Sequence, residues 1–327
     1  MRLFIWIIEQ IVGLDHYVNT FGVACKKQFG EKLKKLTIDA KFTCPNRDGT
    51  LGKGGCTYCN VASFSFEHGT ELSIREQLKL GRERARGKTS KYIAYFQAYT
   101  STYDEYRVLK AKYDEAISDP DIVGLCVGTR PDCVSDEVID LLLGYQNQGI
   151  EVWLELGLQS ANDKTLKRIN RGHTFNDYRD TVLRARAKGI KVCTHLILGL
   201  PGENHQDYLS SLDAILNTGV DGLKLHPLHI VEGSTMAKAW RNDRISLLTI
   251  EDYALSVGEL IRHTPKDIIF HRVTAYAKKP MLLAPDWCAF RWDGLVAIVN
   301  DLKAKGGQGS YLNLTADSLK AENMTVK

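Results

Sequence analysis

With 327 residues, 44% of them hydrophobic and 25% charged, the chain carries enough apolar material for a sizeable core, which excludes a disordered or low-complexity protein. A formal net charge of +4 permits a phosphate or nucleic-acid partner without requiring one. Eight scattered cysteines are not the dense framework of a small secreted domain, and no stretch approaches the roughly 20 apolar residues of a membrane span.

The first apolar run, Leu3 to Ile8, is interrupted by Glu9 and Gln10, so it reads as an N-terminal helical segment rather than a secretory signal, and a cytoplasmic protein is expected. Val18 to Phe29 has the period of a short amphipathic helix, and Lys34 to Ala40 reads as a strand leading into Cys44. Strands follow at 91–98, 122–127, 150–157, 190–198 and 222–227, each separated from the next by a helical pattern. Ser135 and Asp136 supply good first-turn chemistry for one of these helices, and Gly149 a stop.

Six strands alternating with helices predict parallel βαβ units. Six are too few for an eight-stranded barrel, so the expected fold is α/β, a partial (β/α)6 TIM-type barrel, with a doubly wound sheet as competitor. The expected organisation is an N-terminal helical segment over 1–30, the barrel over 31–230, a small C-terminal α/β extension over 231–305 and a poorly ordered polar tail over 306–327. In either architecture chemistry belongs at the carboxyl ends of the strands.

The loop after the first strand carries the main signal: Cys44, then a linker with Gly49, Gly52, Gly54 and Gly55, then Cys56-Thr-Tyr-Cys59. The C-x-x-C turn can aim two sulfurs at one metal, and the flexible linker brings a third. Thiolates suit iron-sulfur clusters and zinc alike, and a zinc site closed by a fourth residue such as His68 is the plain alternative. Three ligands leave a coordination position open, which favours chemistry over structure.

The marks Ile38-Asp-Ala-Lys-Phe-Thr-Cys-Pro-Asn-Arg-Asp-Gly49, Gly55-Cys-Thr-Tyr-Cys59, Phe96-Gln97, Thr129-Arg-Pro-Asp132, Glu155-Leu-Gly-Leu-Gln-Ser160 and His195-Leu-Ile-Leu-Gly-Leu-Pro-Gly-Glu203 resemble the radical S-adenosylmethionine (SAM) superfamily. They are most similar to its YhcC-type branch, related to the catalytic subunit of Elongator, whose long gap between the first two cysteines matches the one here.

The resemblance implies a 4Fe-4S cluster on Cys44, Cys56 and Cys59 with one iron open to SAM. It implies reductive cleavage of SAM to a 5'-deoxyadenosyl radical, with an electron donor such as flavodoxin or ferredoxin and no membrane partner. It further implies an aromatic near the adenine at Tyr58, a contact to the SAM amino group at Gln97, and contacts to the methionyl part from Gln159 and Arg171. Leu200 belongs to a Gly-Leu-Pro-Gly-Glu turn that would offer backbone groups to the adenine, although such turns are common in βα connections. His195 stands where related coproporphyrinogen oxidases carry an acidic residue near the ribose.

Glu155 lies in an apolar strand and needs a polar ligand or partner. Lys224 and His226 alternate on the last barrel strand and are candidates for the cavity wall, and Cys133 for a thiol near the site mouth. The related branch modifies wobble uridines, so a tRNA uridine side chain is the leading substrate. The alternatives are a small metabolite or cofactor as substrate, or a non-catalytic zinc- or cluster-binding protein.

Overall fold

The structure, a computed structural model, describes residues 13–63, 69–85 and 89–312. The apolar run at 3–8 and His68 lie outside the described residues. Among the described residues nine strands occur in chain order: β1 (Lys34–Ile38), β2 (Tyr92–Phe96), β3 (Ile122–Thr129), β4 (Glu151–Gln159), β5 (Lys191–Leu198), β6 (Gly222–Pro227), β7 (Ile230–Val231), β8 (Ile269–Arg272) and β9 (Leu282–Ala284). β1 to β6 and then β8 form one parallel sheet in that order, curled into a half-barrel, while β7 and β9 make a small antiparallel pair.

The side-chain period explains the layering. Along β4, Val152, Leu154, Leu156 and Leu158 pack into the main core beneath the helices, whereas Trp153 and Glu155 face the barrel interior. β2 divides the same way, with Tyr92, Ala94 and Phe96 outward and Ile93 and Tyr95 inward. Strands covered on both faces read as nearly continuous apolar runs, which is how they look in the sequence.

The crossover helices begin on caps written into the sequence. Ser135 accepts from the Val138 N–H, and Thr174 with Asp177 and Asn204 with Asp207 form capping boxes. Short capped turns return the chain to the next strand and leave the longer loops at the carboxyl ends, where the site is built.

The departures from the sequence reading have physical causes. The sheet has seven parallel strands rather than six, because β8, from the expected extension, pairs with β6. The segment at 1–30 is no separate appendage in its described part: the Phe270 N–H donates to the Asn19 carbonyl (2.8 Å), and Phe21 on the helix Phe21–Phe29 packs against Trp153 and His271. That helix plugs the end of the barrel where the strands begin. The expected loose tail starts too early, since Gln308 is buried and donates to the Pro265 (2.6 Å) and Ile268 (2.8 Å) carbonyls while accepting from the Asn19 N–H (2.8 Å). Near the C-terminal end Asp286–Ala289 forms a separate single turn and the helix that follows runs from Asp293 to Lys305.

Helices Ile250–Arg262 and Asp293–Lys305 cross at Gly258, where a Cβ would fall 1.9 Å from Asp301 Oδ2. That close approach seats the buried Arg262–Asp301 ion pair at 2.7 Å. Asp301→Ala leaves Arg262 buried without its counter-charge and is expected to lower unfolding stability by about 3–5 kcal/mol, read from the denaturant midpoint at constant m-value.

A cysteine-lined cavity as candidate active site

At the carboxyl end of the sheet a cavity of about 230 Å³ opens between the strand ends and the loop after β1. Cys44, Cys56 and Cys59 line it together with Tyr58, Gln97, Glu155, Gln159, Arg171 and His195. Nine of the ten site residues expected from the sequence therefore meet in one space. Leu200 is the exception: it is buried and lines a neighbouring cleft with Thr57, on the other side of the cysteine loop. Cys133 also lies elsewhere, in a third cleft beside Thr102, with burial pushing its thiol up to about 12.

The cysteine loop is held by backbone contacts more than by burial. Cys44 caps a single helical turn, Pro45–Asp48. The Gly55 N–H donates to the Asn46 carbonyl (2.8 Å), and a Cβ on Gly55, whose φ is 79°, would lie 2.8 Å from Arg47 Nε. Arg47 in turn donates to the Cys59 carbonyl at 2.9 Å. The loop is then latched to the turn after the helix Asp163–Arg168: Asn46 donates to the Asn170 carbonyl (2.5 Å) and Asn170 to the Gly55 carbonyl (2.8 Å).

Arg171 is the main electrostatic element at the thiols. Its guanidinium donates to the Gly157 carbonyl (3.1 and 2.5 Å) and to Cys56 Sγ (3.4 Å). Burial alone would raise the Cys56 thiol, but Arg171, Arg130 and Tyr58 hold it below its ordinary value. Burial and the Cys56 charge raise Cys59, with Arg47 opposing. A Cβ at Gly157 would sit 2.8 Å from Arg171 Nη2, so the glycine makes room for the guanidinium.

Gln159 sits at the end of β4 with φ 79°, beside a register shift, and this left-handed backbone aims the end of the strand at the cavity. Arg130 forks onto Asp132 (3.0 and 2.8 Å) and leaves its buried Nη1 without a partner at the cavity wall.

Deeper in the barrel, Glu155 is fully buried and gathers four donors, Lys35, Lys224 (2.9 Å), Tyr95 (2.8 Å) and His195 (2.8 Å), while His271 Nδ1 lies 3.2 Å from it and 2.9 Å from Lys35 Nζ. The polar partner its sequence position demands comes from within the chain. Burial would raise this carboxyl, yet Lys224 and Lys35 hold it well below the usual carboxylate range. Arg272, His229 and Tyr95 were not singled out from the sequence, and Arg130 stood there only within the Thr129-Arg-Pro-Asp132 mark; Lys35 is 120 residues from Glu155, and only the curl of the sheet joins them.

The donor set fits a cluster. Among the described residues no three His, Cys, Asp or Glu side chains converge tightly enough to grip a single ion. A cubane takes one thiolate per iron, so its ligands must border a common space rather than a common atom, and the three thiols do.

Fold, site and sequence comparison agree on the class. Residues 47–215 match the radical SAM superfamily and residues 220–304 the radical SAM C-terminal domain, and the chain belongs to that superfamily, in its YhcC-type branch. It is a radical SAM enzyme, a class that works with a 4Fe-4S cluster and SAM. It is 55% identical over 299 residues to protein YhcC of Escherichia coli K12, covering 91% of this chain and 96% of that one. A shorter stretch of 125 residues, 37% of this chain and 26% of the relative, is 32% identical to the tRNA uridine(34) acetyltransferase of Dehalococcoides mccartyi. The fold is similar to Elp3 of Methanocaldococcus infernus, with a TM-score of 0.60 at 18% identity over 84% of this chain and 63% of that one.

Two outcomes follow from the buried hub. Glu155→Leu strands Lys224 and Lys35 without a carboxylate and is expected to lower stability by about 3–5 kcal/mol, measured by denaturant unfolding. The buried histidines set a pH window. Unfolded histidines protonate near pH 6.5, whereas burial and the nearby lysines depress His195 to about 4 and His271 to about 3. Between those values the unfolded chain binds more protons, so the melting temperature should fall as pH drops from about 6.5 to about 4 and stay level from about 6.5 to 7.5. His271→Asn should flatten that slope in a calorimetric pH series.

Proposed function

We propose that Cys44, Cys56 and Cys59 hold the 4Fe-4S cluster, that SAM occupies the adjoining cavity, and that the enzyme modifies a uridine side chain in tRNA. When bound, cluster and SAM together supply a 5'-deoxyadenosyl radical that abstracts a substrate hydrogen. The observation that carries the site assignment is the meeting of all three thiols with Tyr58, Gln97, Gln159, Arg171 and His195 in one cavity.

In this reading the chain's own residues position and shield. Arg171 stabilises Cys56 as thiolate and fixes the loop to β4 through the Gly157 carbonyl. Gln97 and Gln159 border the cavity with amide groups able to orient the amino and carboxylate ends of SAM, and Tyr58 offers an aromatic face to the adenine. Arg130 Nη1 is a buried donor awaiting an acceptor. His195, turned onto Glu155, acts from the floor as a neutral imidazole rather than a cation. Leu200 is left outside this assignment by its place in the neighbouring cleft.

The tRNA reading is supported by the stretch similar to a tRNA uridine(34) acetyltransferase and by a cavity lined by four arginines and Lys224. Among the described residues no helix is long and apolar enough to cross a membrane.

The test is anaerobic turnover of reconstituted protein with dithionite, followed by chromatography for 5'-deoxyadenosine. Wild type should produce it, Cys56→Ala should produce none, and Arg171→Gln should lose about 10²-fold or more through a misplaced loop. Total tRNA should stimulate production, whereas stimulation only by an RNA-free extract of small molecules would reject the tRNA reading.

A further inference from the structure

The cavity floor carries more positive charge than the protein neutralises. Lys224 and Arg272 line it and Lys35 joins from beneath, against the single carboxylate of Glu155. That carboxylate is already spent: Lys35, Tyr95, His195 and Lys224 fill its roughly four lone-pair sites. Arg272 lines the cavity at the end of β8, in register with Lys224 on β6, and among the described residues its guanidinium makes no hydrogen bond or ion pair. Beside it, the buried Nδ1 of His229 has no partner either.

The histidines add no charge. Burial and the Arg272 cation push His229 down to about 4 and His226 well below its ordinary value, so both stay neutral near pH 7 and can donate or accept. Lys224 is buried in this wall and Arg272 is exposed to solvent with its guanidinium free to turn, so the unbalanced cations attract an entering anion. A guanidinium fork matches a carboxylate or a phosphate. This corner is distinct from Arg171, whose donors are committed to Gly157 and Cys56.

We propose that the β6–β8 side of the cavity is an anion subsite for the substrate, in which Arg272, with Lys224 and His229, binds a carboxylate or phosphate group and so places the substrate against the reacting end of SAM. The proposal rests on this cavity being the reaction chamber, but not on RNA being the substrate.

The test uses the reconstituted enzyme without turnover. Acetate and inorganic phosphate are titrated separately by calorimetry into wild type, Arg272→Gln and Arg272→Lys, and SAM is titrated in parallel. Expected is saturable one-site binding of at least one anion, weakened about tenfold or more in Arg272→Gln and kept within about threefold in Arg272→Lys, with SAM affinity alike in all three. Equal anion binding in Arg272→Gln, no saturable binding in wild type, or competitive displacement of the anion by SAM would overturn it. Preference for acetate that survives an unmodified RNA oligonucleotide assigns the subsite to a substrate carboxylate. Preference for phosphate that the oligonucleotide abolishes assigns it to a nucleic-acid phosphate, and either result supports the subsite. Because no arm depends on SAM cleavage or on tRNA stimulation, failure of the tRNA reading and failure of the subsite are separate results.

Discussion

The interior of this half-barrel is built on one buried carboxylate. Glu155 is fully enclosed on the central strand and would be strongly disfavoured there alone. Lys35 from β1, Tyr95 from β2, His195 from β5, Lys224 from β6 and His271 from β8 all reach it. Five strands of the sheet are thereby tied to a sixth through a single side chain. The tie also closes the floor of the cavity, below which Trp153, Phe21 and their neighbours are packed dry.

A second linkage runs from this sheet to the cysteines. Gly157, two residues beyond Glu155 on the same face of β4, gives its carbonyl to Arg171, and Arg171 gives a donor to Cys56. Asn46 and Asn170 hold the glycine-rich loop to the same turn from its other side. Loop, turn and strand thus form one connected polar unit, so a change at Gly157 reaches the thiols without touching them. Rigid support of this kind is what a site requires when its reactive group must meet a substrate hydrogen in one geometry.

Much of this was legible in the sequence, and the rest was hidden for definable reasons. The cysteine loop, the βα rhythm, the strand-end positions of Gln97 and Gln159 and the place of His195 within β5 follow from spacing and period, because each is a local property. β8 was assigned to an extension because its four residues follow β6 after some 40 intervening residues of turn and helix, and nothing local marks it as a barrel strand. The partners of Glu155 come from as many as 120 residues away, so the need for a partner was visible while its identity was not. Gln308 reads as part of a polar tail, yet its amide closes carbonyls at the base of the barrel. Leu200 lines the neighbouring cleft, since a turn motif fixes the backbone shape but not which side of the neighbouring loop it faces.

The most direct test of the account is the electron paramagnetic resonance spectrum of the dithionite-reduced, reconstituted protein recorded with and without SAM. If three cysteines hold a 4Fe-4S cluster with one iron open to SAM, the wild-type signal should be that of a reduced 4Fe-4S centre and should shift when SAM is added, while Cys44→Ala, Cys56→Ala and Cys59→Ala should each lose it. A fully loaded cluster whose signal ignores saturating SAM, or a signal that survives those substitutions, would contradict it.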